Sequence, residues 1–327
     1  MDNKILEIKN LTVEYYRNRK VITAVNNISF NVNENETLSI VGESGCGKST
    51  VALSILNLIN SNEGRITTGE IIYNKKYDIL KMNKNQLQQL RGNEITIIFQ
   101  DPFSSLNPVL TVGTQLIEIL QSHYPELNFS DMKEKVINLL SQVQINDPER
   151  IFNSYPHQLS GGQRQRICIA AGIITNPRIL IADEPTTALD VTTAKDIIEL
   201  LSSLQNKLKL SIIFITHNLY IAFKHSHRII VMYAGEFVEE GATDDISKEP
   251  KHPYTQMLLK VLPTLDKKGK KLNFIPGQVP DMLSLPKGCR FHPRCDKVMD
   301  ICTKNIPTTY EYIRNGIKNK VKCFLYE

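Results

Sequence analysis

Residues 37–50 read TLSIVGESGCGKST. A short apolar run, 37–41, leads into a glycine-rich turn. Apolar residues at helical spacing follow it: Val51, Leu53, Ile55, Leu56, Leu58 and Ile59. Strand, glycine turn and helix form the context in which G-x-x-x-x-G-K-S/T binds phosphate. Gly42, Gly47, Lys48 and Ser49 fill the fixed positions of that pattern, and Ser44, Gly45, Cys46 and Thr50 complete the expected phosphate-binding set. The glycines let backbone N–H groups turn inward, and these groups, with the start of the helix, suit phosphate oxygens. Lys48 is expected to reach the β- and γ-phosphates, and the Ser49 hydroxyl to reach Mg2+. The motif by itself is common to GTPases, kinases, helicases and transport ATPases.

Residues 179–185 read ILIADEP: four apolar residues, then Asp183 and Glu184, then Pro185. A carboxylate at the carboxyl end of a buried strand is well placed to hold Mg2+, which is the role expected for Asp183. The next side chain points elsewhere, so Glu184 is the candidate to orient and deprotonate an attacking water. A strand that merely ends in a polar turn would look the same; the phosphate loop earlier in the chain favours the chemical reading.

Residues 159–166 read LSGGQRQR. Ser160 is a good helix N-cap, and Gln163 three places later completes a capping box. The helix continues with Ile167, Ala170, Ala171 and Ile174 on one face. Capping does not require Gly161 and Gly162, and glycine weakens a first helical turn. Bare backbone at a helix start is, however, what close approach to an anion requires.

Together these segments resemble the ABC transporter ATPase family, whose signature is LSGGQ. Other family motifs follow in order: Gln100 after ITIIF matches the Q-loop glutamine, Ala188-Leu189-Asp190 the D-loop, His217 after IIFIT the switch histidine, and Tyr15 the aromatic that stacks on adenine. The motifs span residues 10–220. The resemblance implies an α/β fold of the P-loop NTPase type, a RecA-like core with a helical signature subdomain at about 101–175, within a nucleotide-binding domain of residues 1–248. It implies ATP and Mg2+ as cofactors, with Mg2+ on Ser49, Gln100 and Asp183, and catalytic roles for Glu184, Gln100 and His217. It also implies a sandwich dimer, in which Ser160, Gly161, Gly162 and Gln163 of one chain meet the nucleotide held by the other, and it adds Asp190 to the nucleotide-binding set. One set of motifs per chain requires a partner chain.

EITIIFQDPFSSLNP (94–108), EPKHPYTQMLL (249–259), IPGQVP (275–280) and LPKGCRFHPRC (285–295) resemble the oligopeptide, dipeptide and nickel branch of ABC importers. IPGQVP and MYAGE (232–236) resemble its D-type ATPase. The branch implies an F-type ATPase as heterodimer partner, two membrane permeases and an extracellular substrate-binding protein. Peptides are the expected cargo, with nickel or another metal chelate second. The chain is then expected at the cytoplasmic face of the membrane, as a peripheral subunit.

Composition shifts near Glu249. Eight of the 15 prolines follow it, Pro263 among them, so residues 249–327 are expected to form a separate, small and irregular C-terminal extension. Four of the six cysteines fall there, Cys289, Cys295, Cys302 and Cys323, spaced C-x5-C-x6-C-x20-C. Four thiolates suit zinc or an iron–sulfur cluster equally. The family resemblance implies a 4Fe–4S cluster, and such a centre would order loops that have few apolar residues of their own.

The net charge is +5, but residues 260–327 carry 14 Lys+Arg against 6 Asp+Glu. A basic tail suits nucleic acid or anionic lipid. No aromatic-rich RNA-binding motif accompanies it, so a solvated basic surface is expected and no nucleic acid. A soluble ABC ATPase acting on ribosomes or DNA is the rival class. Its members carry paired cassettes or long coiled coils, which this chain lacks. No stretch approaches the roughly 18 apolar residues of a membrane helix.

Overall fold

The computed structural model describes residues 3–17, 20–261 and 275–327. Residues 262–274, with Pro263, lie outside the described residues. Among those described, the strands are β1 (Lys4–Arg17), β2 (Lys20–Asn33), β3 (Thr37–Val41), β4 (Gly64–Tyr73), β5 (Tyr77–Asp78), β6 (Ile95–Ile98), β7 (Ile179–Asp183), β8 (Ser211–Thr216), β9 (Arg228–Tyr233), β10 (Glu236–Ala242), β11 (Tyr310–Arg314) and β12 (Ile317–Val321). The chain forms two compact units, one of Met1–Leu80 with Ile215–Glu327, the other Lys81–Phe214.

The first unit carries two sheet regions. In one, the order is β2-β1-β4-β5, and its pairings are antiparallel. Leu6, Ile8, Leu11 and Val13 of β1 are fully buried. Their spacing slips by one between Ile8 and Leu11, and the β1–β2 register shifts at that point. An extra residue in one strand moves the following side chains to the other face, so the slip and the shift have one cause. In the other region the order runs β11-β12-β10-β9-β3. β3 and β9 are parallel, and all five residues of β3 are buried, as expected for a strand covered on both faces.

C-terminal residues pack into this same unit. The helix Pro253–Val261 contributes Tyr254, which meets Tyr233 of β9 and Phe291 in a cluster with ring centroids 4.6–5.3 Å apart. Tilted and edge-on aromatic contacts of this kind add to the burial of the rings themselves. Ile275, Met282, Leu285, Cys289 and Cys295 pack around the cluster. β12 pairs with β10, Glu239 opposite Val321.

The second unit is mainly helical. Its sheet strands are β6, β7 and β8 as far as Phe214, with β6 and β7 parallel. Within the stretch expected to be helical, about 101–175, lie the helices Val112–His123 and Phe129–Gln142. Periodicity alone does not show the break at Tyr124–Asn128, where Asn128 caps the second helix by accepting from the Asp131 N–H. Val112, Leu116, Ile117 and Leu120 of the first and Met132, Val136, Leu139 and Leu140 of the second are buried. Tyr124 Oη donates to the Thr175 carbonyl at 3.1 Å, and Thr96 Oγ1 to the Gly172 carbonyl at 2.7 Å, tying the helices to the strands.

Candidate nucleotide-binding site

In the first unit, β3 ends at Val41 and the helix begins at Lys48, with residues 42–47 between them. Gly47 joins them at φ +106°, a conformation that L side chains rarely adopt. A Cβ there would stand 2.3 Å from the Ala24 carbonyl oxygen, and one on Gly42 would stand 2.2 Å from that of Met232. The turn is thus closed to any side chain at both fixed glycines, as a backbone cradle for phosphate must be. Lys48 is buried, and its Nζ donates to the carbonyls of Gly42 at 2.9 Å and Glu43 at 3.1 Å. Ser44, Gly45 and Ser49 are exposed, and Thr50 is half-buried. Cys46 is buried, and burial pushes its thiol above the usual range.

His217 is exposed just past β8. It lines a cavity of about 260 Å³ together with Gly42, Glu43, Ser44, Leu219 and Leu258, so the structure brings it to the phosphate turn. Tyr15 is half-buried on β1 opposite Gly64, where a Cβ would stand 2.7 Å from the Tyr15 ring.

In the second unit, Asp183 ends β7 and Glu184 follows at φ +46°. A non-glycine residue in the left-handed region turns the side chain away from the strand's alternation. Glu184 Oε2 accepts from Thr187 Oγ1 at 2.8 Å and from Gln100 Nε2 at 3.4 Å. The helix Gly161–Ile173 starts at Ser160 with the expected reciprocal cap: Ser160 Oγ accepts from the Gln163 N–H, and Gln163 Oε1 from the Ser160 N–H. Gly161 and Gly162 are partly exposed. A Cβ on Gly162 would meet Thr193 Cγ2 at 2.6 Å, whereas one on Gly161 would have ordinary room. Asp190 caps the helix Val191–Leu208, accepting from the N–H groups of Thr192 and Thr193 and from Thr193 Oγ1. The Thr193 hydrogen bonds hold its carboxyl below the usual range.

Thr187, Glu43, Tyr254 and Arg294 escaped the sequence reading. Arg294 Nη1 and Nη2 donate to the two carboxylate oxygens of Glu43 at 2.7 and 3.1 Å, across 251 positions of chain. No local pattern signals a contact of that separation.

The iron–sulfur cluster expected on Cys289, Cys295, Cys302 and Cys323 is not borne out. All four are described, and among the described residues no group of three or more His, Cys, Asp or Glu is placed to hold a metal ion. Burial raises the thiols of Cys289, Cys295 and Cys323 above the usual range. The physical premise also changes: the segment is ordered by packing, with Phe291 in the aromatic cluster and Arg294 on Glu43.

A glycine cradle with a buried lysine, an acid pair ending a buried strand and a capped glycine-rich helix start define a P-loop ATP-binding cassette. An ABC transporter model matches residues 25–187, and one for the oligopeptide/dipeptide transporter C-terminal region matches 238–302. The oligopeptide transport ATP-binding protein AppD of Bacillus subtilis is 44% identical over 99% of this chain and 97% of its own. The dipeptide transport ATP-binding protein DppD of the same organism is 42% identical over 99% and 95%. Among solved structures, the dimeric ATP-binding cassette MJ0796 in a post-hydrolysis state bound to ADP and Pi is 30% identical, with a TM-score of 0.65, over 73% of this chain and 98% of that one. The chain belongs to the ABC transporter family, among the ATP-binding proteins of its oligopeptide and dipeptide branch. It is an ATPase of the ABC type. Among the described residues no helix is long and apolar enough to cross a membrane.

Proposed function

We propose that the chain is the D-type motor of a peptide importer, paired with an F-type ATPase beneath two permeases at the cytoplasmic face and supplied by an extracellular binding protein. Its relatives' names support peptide cargo. In this reading the turn Gly42–Thr50 and Lys48 bind the phosphates of ATP, Tyr15 stacks on adenine, and Ser160–Gln163 with Asp190 face the nucleotide of the partner subunit. Ser49, Asp183 and Gln100 offer hydroxyl, carboxylate and amide oxygens, the hard donor set that Mg2+ takes. Mg2+ would supply positive charge against the phosphate oxygens; the chain's own residues position the nucleotide and move the proton.

The observation that carries the reading is the setting of Glu184. Its carboxylate accepts from Thr187 Oγ1 and Gln100 Nε2 through Oε2, which holds it in one orientation, and in this reading the carboxylate takes a proton from the attacking water. His217, at the phosphate turn, is assigned to orient the γ-phosphate. The test is Glu184→Gln in the assembled transporter. Turnover should fall about 10²–10⁴-fold, the usual contribution of a general base, while ATP binding persists. Hydrolysis within a few-fold of wild type would remove Glu184 from the mechanism.

A further inference from the structure

We propose that Arg294 is a positioning residue for the phosphate loop, so that the C-terminal segment sets the geometry in which ATP is held. The inference rests on reading residues 42–50 as the ATP phosphate site, and it concerns a residue outside the ATPase motifs.

Glu43, the second residue of the loop, is tied down three times. Its carboxylate takes both prongs of the Arg294 guanidinium, at 2.7 and 3.1 Å. Its backbone N–H donates to the hydroxyl of Tyr254 at 3.1 Å. Its carbonyl accepts from Lys48 Nζ at 3.1 Å. Two of these partners, Arg294 and Tyr254, come from the C-terminal part of the chain, and the third is the loop's own lysine. A displacement of Glu43 therefore moves an acceptor on which Lys48 rests.

Arg294 is itself rigidly seated. Its side chain is only 4% exposed. Nε donates to the Pro276 carbonyl at 3.0 Å, and the guanidinium lies over the Tyr233 ring at 5.8 Å. A planar, two-pronged donor fixed on its other edge holds a carboxylate in one orientation, which a lysine cannot do. Charge adds to geometry. Without Arg294 the Glu43 carboxylate would stand unpaired beside a loop that must receive a polyanion. A mere staple for the tail would need neither the two-pronged match nor a partner inside the phosphate loop.

The test compares ATP affinity, by calorimetric titration with Mg2+, for the full-length wild type and for Arg294→Gln, Glu43→Gln and the double variant. Arg314→Gln serves as control: it breaks a comparable pair with Glu249 and Asp245 in the same unit, at residues that do not touch the loop. Arg294→Gln should weaken ATP binding roughly tenfold, and adding Glu43→Gln should restore most of the loss, since coupled neighbours are non-additive. Arg294→Lys, which keeps the charge but not the fork, should lose roughly threefold, and it carries the test if Arg294→Gln does not fold. Affinities within twofold of wild type for the Arg294 variants would overturn the proposal. So would losses no greater than those of Arg314→Gln at equal loss of melting temperature, or additive effects in the double variant. A wild-type chain that binds no ATP would instead sink the ATPase reading, before this inference is reached.

Discussion

The chain begins two helices from glycine-rich turns, GESGCGKST before Lys48–Ile55 in one unit and LSGGQ before Gly161–Ile173 in the other. On paper they look alike: glycine pairs, a polar residue, a helix start offered to an anion. Their physics differs. At Gly47 the backbone lies at φ +106° with neighbouring backbone in the place of a Cβ, so the turn exists only because the residue is glycine. At Gly161 and Gly162 the backbone is ordinary helix, and a side-chain cap that any sequence could supply starts it. Only packing separates the second pair: Thr193 crowds Gly162 and nothing crowds Gly161. The first turn is demanded by conformation, the second partly by a neighbour and partly by neither.

The largest effect should come where conformation makes the demand. Gly47→Ala places a methyl 2.3 Å from the Ala24 carbonyl oxygen and forces an L residue to φ +106°. The backbone strain alone costs about 1–3 kcal/mol, and relieving the collision moves the turn itself. ATP binding should be lost and the melting temperature lowered. Gly45→Ala, at φ +80° but with nothing within 4 Å, supplies the comparison: strain without collision, and binding retained at reduced affinity. Equal behaviour of the two variants in nucleotide titration and thermal melting would show that the collision with Ala24 adds nothing to the backbone strain at this turn.

This contrast also marks what could be read in the chain. The strands at Thr37–Val41, Ser211–Thr216 and Arg228–Tyr233 are apolar runs, and a run is a local property. The cap at Ser160 is likewise written within four residues. The β1–β2 ribbon was not legible, because Asn10 and Asn27 interrupt its alternation where the pairing bulges. The contact of Arg294 with Glu43 was not legible either, since it is created by the fold. The tail cysteines show the converse error. Their spacing is a sequence property, and it suggests a metal, but the proline-rich segment packs its own Tyr254 and Phe291 on Tyr233 of β9.

A smaller effect is expected at Gly162. A Cβ there would stand 2.6 Å from Thr193 Cγ2, and Thr193 is pinned because its hydroxyl donates to Asp190 Oδ2 at 2.7 Å. Gly162→Ala should cost about 1–3 kcal/mol, the usual range for an extra methyl in a filled space. Thr193→Ser removes the obstructing methyl and keeps the hydroxyl. The pair Gly162→Ala with Thr193→Ser should therefore recover most of the loss in chemical denaturation. Failure to recover would mean that the glycine is required by something other than Thr193.

The smallest change in stability should occur at Gly161, and its sign should be opposite. The nearest atom to a Cβ there is Leu189 Cδ2 at 3.6 Å, an ordinary contact, and the residue is the first of a capped helix. Replacing glycine by alanine at a compatible position stabilises by about 0.4–1 kcal/mol, because the unfolded chain loses freedom. Gly161→Ala should thus raise the melting temperature of the isolated chain slightly. A glycine that the fold would rather replace is where a functional demand shows most clearly, since stability and activity then pull apart. If the bare backbone at Gly161 is there to meet the partner subunit's nucleotide, the same variant should lower ATP turnover in the assembled transporter while the isolated chain binds ATP as before. A variant that is both more stable and fully active would show that Gly161 answers to neither the fold nor the nucleotide, and the demand at this turn would fall on Ser160 and Gln163 alone.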